Sequence, residues 1–206
     1  MSIAQELNQG IAELGLEIPA AAQQDMLRYL ELLQKWNKVY NLTAIRDPQQ
    51  MLTHHLLDSL AVVPHLWAGH WLDVGCGAGL PGLVLAMARP DWKFTLVDSN
   101  SKKTSFVQQA IIDLKLANAQ VCCVRAEEWE PNEKFDGIIS RAFAELADFV
   151  TATRHLLADG GRWVAMKGHL EHEVKSVPAG ITVEQTIALQ VPGLKGARHL
   201  AVLRIE

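Results

Sequence analysis

The sequence contains little cysteine and no metal-ligand motif. Its 206 residues include three cysteines, Cys76, Cys122 and Cys123. An odd and sparse set of cysteines does not form a disulfide framework, and it is typical of a reducing compartment such as the cytoplasm. Neither a C-x-x-C pair nor a Cys/His cluster has the spacing of a zinc site, so we expect no bound metal.

Long hydrophobic runs are also missing. The longest apolar stretch, residues 78–88, contains Pro81 and two glycines. It is too short to span a bilayer. The start of the chain carries Glu6 and Glu13 and lacks the basic residues and apolar centre of a signal peptide. We therefore expect a cytoplasmic protein with no membrane segment, and a monomer is the default expectation.

A large charge of one sign is absent as well. The net charge is −4, from 19 Lys and Arg against 23 Asp and Glu. This balance excludes a protein coated with positive charge, but it permits RNA binding because the local distribution of charge matters more than the sum. Residues 161–206 hold six Lys and Arg against four Asp and Glu, and three histidines lie among them. Positive charge is therefore concentrated near the C-terminus.

Residues 1–66 carry helical patterns. Apolar residues recur at helical spacing from Ile3 to Leu14, and Pro19 is suited to the first turn of a second helix. Residues 37–48 are predicted to form a structured loop, and residues 49–66 a further helix. We expect this segment to be a helical extension packed on a core formed by residues 67–206.

From residue 67 onward, short apolar runs alternate with helical patterns. The predicted strands are 70–74, 93–97, 120–124, 135–140 and 161–167, and the predicted helices are 80–88, 101–116 and 146–157. This alternation indicates an α/β fold with a mostly parallel sheet covered on both faces. Two more strands, 181–190 and 198–205, are separated by too few residues for a helical crossover and are predicted to pair antiparallel. The predicted sheet thus has seven strands.

A glycine-rich segment between the first predicted strand and helix is the most informative motif. It includes Asp73, Gly75, Gly77, Gly79 and Leu80. Glycines at such a turn permit a sharp bend and the close approach of a ligand to the backbone. Ligands of open α/β sheets bind at the carboxyl ends of the strands, beside turns of this kind. The segment therefore predicts a cofactor site.

Two classes of cofactor use this geometry. Gly77, Gly79 and Gly82 match the dinucleotide pattern G-x-G-x-x-G, although Pro81 interrupts it. The pattern D-x-G-x-G-x-G, which begins at Asp73, instead resembles motif I of class I S-adenosylmethionine methyltransferases. An acidic residue there suits a cationic methionine group and repels a pyrophosphate. A nicotinamide-dependent oxidoreductase stays open as an alternative from another class.

Two further positions indicate an adenosine group. Asp98 ends the second predicted strand, where a carboxylate can accept hydrogen bonds from both ribose hydroxyls in either cofactor class. Ala126 and Glu127 follow the third strand, at the place that contacts the adenine ring in methyltransferases. The antiparallel C-terminal pair favours the methyltransferase, because class I methyltransferases typically end their sheet in this way.

Segments along nearly the whole chain resemble one family. They read W-N-K-V-Y-N-L-T at 36–43, H-L-L-D-S at 55–59, G-L-P-G at 79–82, S-R-A-F at 140–143, M-K-G at 166–168 and R-H-L at 198–200. In this order they resemble the glucose-inhibited division protein B family, bacterial methyltransferases of guanine N7 in 16S (small-subunit) ribosomal RNA. The resemblance implies a class I methyltransferase fold with an N-terminal helical extension. It also implies S-adenosylmethionine as cofactor and a guanine near the decoding centre as substrate.

The resemblance assigns cofactor roles to several positions. Gly75 and Leu80 match the family's cofactor loop, and Ala126 with Glu127 matches its adenine contact. Arg141, beside the fourth strand, matches its site arginine. The partner implied is small-subunit ribosomal RNA or the small ribosomal subunit itself. A non-catalytic RNA-binding assembly factor with a retained cofactor fold is the remaining alternative.

Methylation of guanine N7 needs positioning rather than proton removal. N7 already carries a lone pair in the ring plane, so no general base is required. Arg141, Lys167 and Arg198 are the candidates to hold guanine or its phosphates, because arginine forms bidentate contacts with such groups.

The loop and helix before the sheet offer candidates of a second kind. Asn41, Arg46 and His55 are expected to contact the cofactor or the RNA. Asn41 is equally suited to cap a helix or loop.

Overall fold

The computed structural model describes residues 2–143, 145–170 and 172–206. Within these residues, a helical N-terminal segment is followed by a seven-stranded sheet. The helices of the N-terminal segment are α1 (Ile3–Glu13), α2 (Ala20–Tyr40), α3 (Pro48–Met51), a π-helical segment (Leu52–Leu57) and α4 (Asp58–Leu60). A 3₁₀ turn at Val63–His65 leads into the sheet. No helix in the described part of the chain has the length and apolar character needed to cross a membrane.

Helix α2 extends past the predicted break at residue 37. Asn37 is buried, and its side-chain oxygen accepts a hydrogen bond from the Thr43 N–H at 2.9 Å, while its amide donates to the Ile45 carbonyl at 3.4 Å. The asparagine therefore shapes the loop after the helix and leaves the helix itself unbroken. The helix ends at Tyr40 because Asn41 takes a left-handed conformation with φ of 50°.

The sheet has the predicted strands and the predicted mixed topology. The strands are β1 (His70–Val74), β2 (Lys93–Asp98), β3 (Ala119–Cys123), β4 (Phe135–Ser140), β5 (Leu157–Lys167), β6 (Ile181–Ala188) and β7 (His199–Ile205). Their spatial order is β3-β2-β1-β4-β5-β7-β6. Strands β1 to β5 are parallel, and β7 runs antiparallel to both β5 and β6. The predictions of a mostly parallel sheet and an antiparallel C-terminal pair are confirmed.

The helices of the sheet region are shorter than predicted. They are α5 (Gly82–Ala88), α6 (Ser101–Asp113) and α7 (Leu146–Thr153). The N–H groups of Gly79 and Leu80 both donate to the Cys76 carbonyl, at 2.8 and 2.9 Å. This turn delays the start of α5 by two residues relative to the prediction. At the other end of the sheet region, the predicted α7 finishes as a 3₁₀ turn, Arg154–Leu156.

Each face of the sheet buries its own hydrophobic core. Successive residues of β1 alternate between the two, so that Trp71 packs in one core and Leu72 in the other. Helices α1 and α2 share the first core with α5 and α6. The division of the chain at residue 66 stays a prediction. Of the two cysteines at the end of β3, Cys123 is exposed, whereas Cys122 packs partly buried against the second core.

Candidate active site

The site lies at the carboxyl ends of the parallel strands. Strand β1 has two neighbours in the sheet, β2 on one side and β4 on the other. Loops from neighbouring strands diverge at this point, and a crevice forms between them. The glycine segment after β1, the turn after β3 and residues 141–143 after β4 surround this crevice.

The glycine segment is a tight turn held by backbone hydrogen bonds. Gly75, Gly77 and Gly79 have φ values of 68°, 57° and 86°, in the region that favours glycine. The Gly77 N–H donates to Asp98 Oδ2 at 2.9 Å, which ties the turn to the end of β2. A Cβ added at Gly75 would lie 2.7 Å from the Ala142 Cβ. The sharp bend predicted at these glycines is confirmed, and the close approach of a ligand to the backbone stays a prediction.

Asp73 lies beneath this turn and is fully buried. Its Oδ2 accepts the Gly82 N–H at 2.7 Å, at the start of α5. Its Oδ1 has no hydrogen-bond partner in the described part of the chain. Burial raises the pKa of Asp73 to about 7, partly offset by the Gly82 N–H and by Arg141. Asp73 therefore shapes the loop and offers a buried acceptor, and it does not line the three cavities described next.

The outer cavity, with a volume of about 270 Å³, lies between the ends of β1, β2 and β3. Its lining includes Gly75, Asp98, Lys103, Ala126, Glu127 and Ala142. Asp98 Oδ1 accepts the Asn100 N–H at 2.9 Å, and each carboxylate oxygen retains a lone pair for a further donor. Ala126 is buried and Glu127 is exposed. The residues predicted to hold ribose and adenine are thus brought to one cavity.

The central cavity, of about 160 Å³, continues from the outer one along the glycine turn. Gly75 and Ala142 line both cavities. Its other walls come from the turn itself and from the N-terminal segment, namely Leu42, Thr43, His55, Gly77, Leu80 and Arg141. The Tyr29 hydroxyl, on α2, donates to the Ala78 carbonyl at 2.7 Å and supports the turn from below. The helical segment therefore helps to build the site.

The arginine cavity, of about 310 Å³, adjoins the central one. His55 and Arg141 line both cavities. Its remaining lining includes His54, Asp58, Lys167 and Arg198. The predicted residues Arg141, Lys167 and Arg198 are thus brought together.

A buried aspartate joins the two arginines of this cavity. Asp58 Oδ2 lies 3.2 Å from Arg141 Nη1, and Asp58 Oδ1 lies 2.9 Å from Arg198 Nε. The Asp58 side chain is 3% exposed, whereas those of Arg141 and Arg198 are 27% and 30% exposed. Arg141 Nη1 also donates to the His54 carbonyl at 3.1 Å. The buried Asp58 carboxylate therefore holds both guanidinium groups in place at the edge of the cavity.

Lys167 is engaged with its own protein. Its Nζ donates to the Phe143 carbonyl at 2.9 Å and lies 2.7 Å from Glu173 Oε2. The same oxygen of Glu173 accepts the Leu146 N–H at the start of α7, at 3.0 Å. Lys167 therefore braces the chain after β4, in addition to lining the cavity.

His55 is buried between the central and arginine cavities. Its Nε2 lies 3.1 Å from Thr43 Oγ1. Burial, and then the positive charge of Arg141, lowers the pKa of His55 to about 4. The imidazole is therefore neutral at pH 7.

The structure places Asn41 and Arg46 differently from His55. Both are exposed, and Arg46 Nη2 donates to Asn41 Oδ1 at 3.0 Å. Neither residue is among those that line the three cavities. Asn41 ends α2, and Arg46 is bound to it outside these cavities. A contact of either residue with the RNA stays a prediction.

Asp58 is the main site residue that the sequence did not predict, although it lies in the motif at 55–59. Its partners Arg141 and Arg198 are 83 and 140 residues away along the chain. The available signal was an acidic residue within an otherwise apolar helical run, three positions after His55. An acid buried on that face requires a cationic partner.

The chain is similar to known proteins over nearly its whole length. A family model described as GidB, rRNA small subunit methyltransferase G, matches residues 22–201. Ribosomal RNA small subunit methyltransferase G of Laribacter hongkongensis is 50% identical over 207 residues, covering 100% of each chain. The protein of the same name from Methylobacillus flagellatus is 52% identical over 199 residues, covering 97% of each chain.

Solved structures show the same fold at low identity. The N-methyltransferase NodS from Bradyrhizobium japonicum, in complex with S-adenosyl-L-homocysteine, has a TM-score of 0.56 and 16% identity, with 86% of this chain and 97% of that chain covered. A ribosomal protein L11 methylase from Lactobacillus delbrueckii has a TM-score of 0.56 and 13% identity, with 78% and 80% covered.

These matches confirm the methyltransferase fold, and they favour it over the nicotinamide-dependent oxidoreductase. The chain belongs to the GidB family of rRNA small subunit methyltransferase G proteins, and it is an S-adenosylmethionine-dependent methyltransferase.

Proposed function

We propose that this enzyme methylates N7 of one guanine in small-subunit ribosomal RNA, in the cytoplasm. The observation that carries the proposal is that the three cavities adjoin one another through shared lining residues. Gly75 and Ala142 join the outer cavity to the central one, and His55 and Arg141 join the central cavity to the arginine cavity. A cofactor along the first two would end beside an acceptor in the third.

The residues of the outer and central cavities fit S-adenosylmethionine. Asp98 would accept the ribose hydroxyls, Ala126 would pack on adenine, and the glycine turn would leave room for the methionine part. Asp73 lies outside both cavities, and it would hold the glycine turn in place through the Gly82 N–H rather than contact the cofactor. When bound, the cofactor supplies an electrophilic methyl group on a sulfonium.

The buried titratable groups of the arginine cavity are poor general bases. Asp58 is paired with two arginines, and His55 has a pKa lowered to about 4, chiefly by burial. An acceptor that must lose a proton before it attacks therefore finds little help from them. Guanine N7 needs none, because its lone pair is already available, and the remaining task is to hold it in line with the methyl group.

The two arginines are suited to that task. Within the described part of the chain, their hydrogen bonds use Nη1 of Arg141 and Nε and Nη1 of Arg198. The Nη2 groups of both are left to donate to an oxygen-rich ligand. Guanine O6 and the phosphate oxygens are such acceptors. In this role they would leave N7 itself without a donor and free to react.

Ribosomal RNA would have to present its guanine unstacked. The major groove of an A-form helix is too narrow for side chains, and sequence-specific proteins read bases splayed out of loops or ends. The cavity is a recess beside the sheet, which suits one base rather than a duplex.

A labelled-methyl experiment tests this function. The enzyme is incubated with methyl-labelled S-adenosylmethionine and either small-subunit particles that lack the modification, large-subunit particles, or protein-free RNA. RNA is then digested to nucleosides, and the labelled nucleoside is identified and mapped. We expect N7-methylguanosine at one position of the small-subunit RNA. Label on a ribose oxygen or an exocyclic nitrogen, or label confined to the large subunit, would overturn the proposal.

A further inference from the structure

The C-terminal end of α2 exposes two neighbouring apolar side chains. Val39 is 69% exposed and Tyr40 is 44% exposed. Single exposed apolar residues are ordinary on protein surfaces. Here two are consecutive and one is aromatic. Lys38 precedes them in sequence, Arg46 is bound to Asn41, which follows them, and both cations are exposed. We call Lys38, Val39, Tyr40 and Arg46 the helix-end surface.

The helix-end surface adjoins the mouth of the arginine cavity. The chain that leaves α2 folds back through Asn37, which binds the Thr43 and Ile45 backbone. Thr43 then lines the central cavity and Ile45 lines the arginine cavity. Arg46 follows directly and is held by Asn41, the neighbour of Tyr40, at 3.0 Å. A polymer whose base enters the arginine cavity would therefore pass close to Tyr40.

The Tyr40 ring packs against a second aromatic ring, which in turn packs against a third. Its centroid lies 5.3 Å from that of Trp36, and the Trp36 ring lies 5.7 Å from Phe106 in an edge-to-face arrangement. Phe106 is fully buried in the first core. A row of aromatic rings thus fixes the position of Tyr40, while nearly half of its surface stays open to solvent. This is a rigid platform of the kind on which nucleic-acid bases stack.

The charges around the platform suit an anionic partner. Lys38 and Arg46 flank it, and Lys35 is also exposed one turn earlier on α2. The nearest acid in sequence, Asp47, caps α3 by accepting the Gln50 N–H at 2.9 Å. Cations beside an exposed aromatic ring match a phosphate backbone with an unpaired base.

We propose that the helix-end surface binds an unpaired nucleotide of the RNA next to the target guanine. Its base stacks on Tyr40, and its phosphates lie against Lys38 and Arg46. The inference rests on the proposed function, since it assumes that RNA enters the arginine cavity. It adds a second point of RNA contact, outside the three cavities.

Substitutions at Tyr40 separate stacking from simple packing. Tyr40→Leu retains apolar bulk against Trp36 but removes the ring, whereas Tyr40→Trp retains a ring. Stacking contributes enough per base that its loss weakens binding by roughly fivefold to a hundredfold. Because Tyr40 is only partly exposed, we expect the lower end, a rise in KM for small-subunit RNA of roughly fivefold to twentyfold for Tyr40→Leu.

If Tyr40 acts by stacking, a variant that retains a ring should keep its KM, and cofactor affinity should not change. We expect Tyr40→Trp to keep its KM within about twofold of the wild type, and both variants to keep the wild-type affinity for S-adenosylmethionine. Ile112→Ala is the matched control. Ile112 is 58% exposed, near the end of α6 that points away from the carboxyl edge of the sheet. This control should leave KM unchanged.

A salt titration tests the charges independently. Each phosphate contact on single-stranded RNA contributes about 0.7 to the slope of log affinity against log salt. Lys38→Gln and Arg46→Gln should each reduce the slope for RNA binding by about that amount. Unchanged slopes in both variants would remove the phosphate contacts from the inference.

Two sets of results would overturn the stacking role, and a third would overturn the proposed function. An unchanged KM for Tyr40→Leu would overturn the stacking role. A rise in KM that is accompanied by weaker cofactor binding and a lower melting temperature would also overturn it, because Tyr40 would then serve only to pack on Trp36. If the wild-type enzyme methylates no small-subunit RNA, the proposed function fails first, and that failure is visible without any Tyr40 variant.

Discussion

Asp58→Asn removes the negative charge that joins Arg141 to Arg198. The substitution keeps the shape of the side chain, and the amide oxygen can still accept from one arginine, but its NH₂ group then faces the other guanidinium. Breaking a buried ion pair costs about 3–5 kcal/mol of folding free energy. Because both arginine side chains are more than a quarter exposed, water compensates part of this, and we expect a loss of about 2–3 kcal/mol.

The catalytic effect of Asp58→Asn should exceed its effect on cofactor binding. A displacement of about 1 Å in a positioning group costs on the order of a hundredfold in rate. We therefore expect single-turnover methyl transfer to fall by roughly tenfold to a hundredfold. Affinity for S-adenosylmethionine should change little, since Asp58 does not line the outer or central cavity.

Urea unfolding, isothermal titration of the cofactor and single-turnover transfer to small-subunit particles measure these three quantities. Asp25→Asn provides the control, because Asp25 pairs with Arg28 at 3.1 Å on the surface. That exposed pair should contribute less than about 1 kcal/mol and nothing to the rate. A stability loss in Asp58→Asn with a wild-type transfer rate would refute the reasoning, because Asp58 would then hold the fold without positioning the arginines.

Three more substitutions or titrations test other parts of the site. Gly75→Val should abolish detectable cofactor binding, because φ is +68° there and the new Cβ would meet the Ala142 Cβ at 2.7 Å; Gly160→Val, at φ +76° with open space around it, is the control and should bind normally. The pKa of Asp73 is raised to about 7 by burial, so its contribution to stability is present at low pH and is lost as the pH rises through 7. Asp73→Asn should therefore gain unfolding free energy relative to the wild type between about pH 4 and pH 7, and a constant difference would contradict the burial of the charge. The pKa of His55 is lowered to about 4, mainly by burial, so its neutral form contributes stability that is lost as the pH falls from about 6.5 towards 4; an imidazole NMR titration with a midpoint near 6.5 would contradict this.

Sequence patterns predicted the cofactor site well, because each group of its residues lies within one short segment. These segments are the glycine turn, the acid at the end of β2 and the residues after β3. Each one lies at the carboxyl end of its own strand. The parallel sheet carries these strand ends to one edge, so knowledge of the topology placed Asp98 and Ala126 beside Gly75.

Contacts between distant segments were harder to predict. The loop predicted over residues 37–48 begins later than expected, because the Asn37 side chain binds backbone six and eight residues later while the helix continues to Tyr40. Asn41 and Arg46 stand near the site in sequence, but the left-handed turn at Asn41 directs them outward. The pairing of Asp58 with two arginines depends on tertiary packing that no local pattern encodes.

A structure of the protein with bound S-adenosylmethionine would test the central claim most directly. The account predicts the ribose hydroxyls on Asp98, the adenine against Ala126, and the sulfonium methyl group at the passage between the central and arginine cavities, which His55 and Arg141 line. A methyl group directed away from the arginine cavity, or a cofactor seated outside the outer cavity, would contradict it.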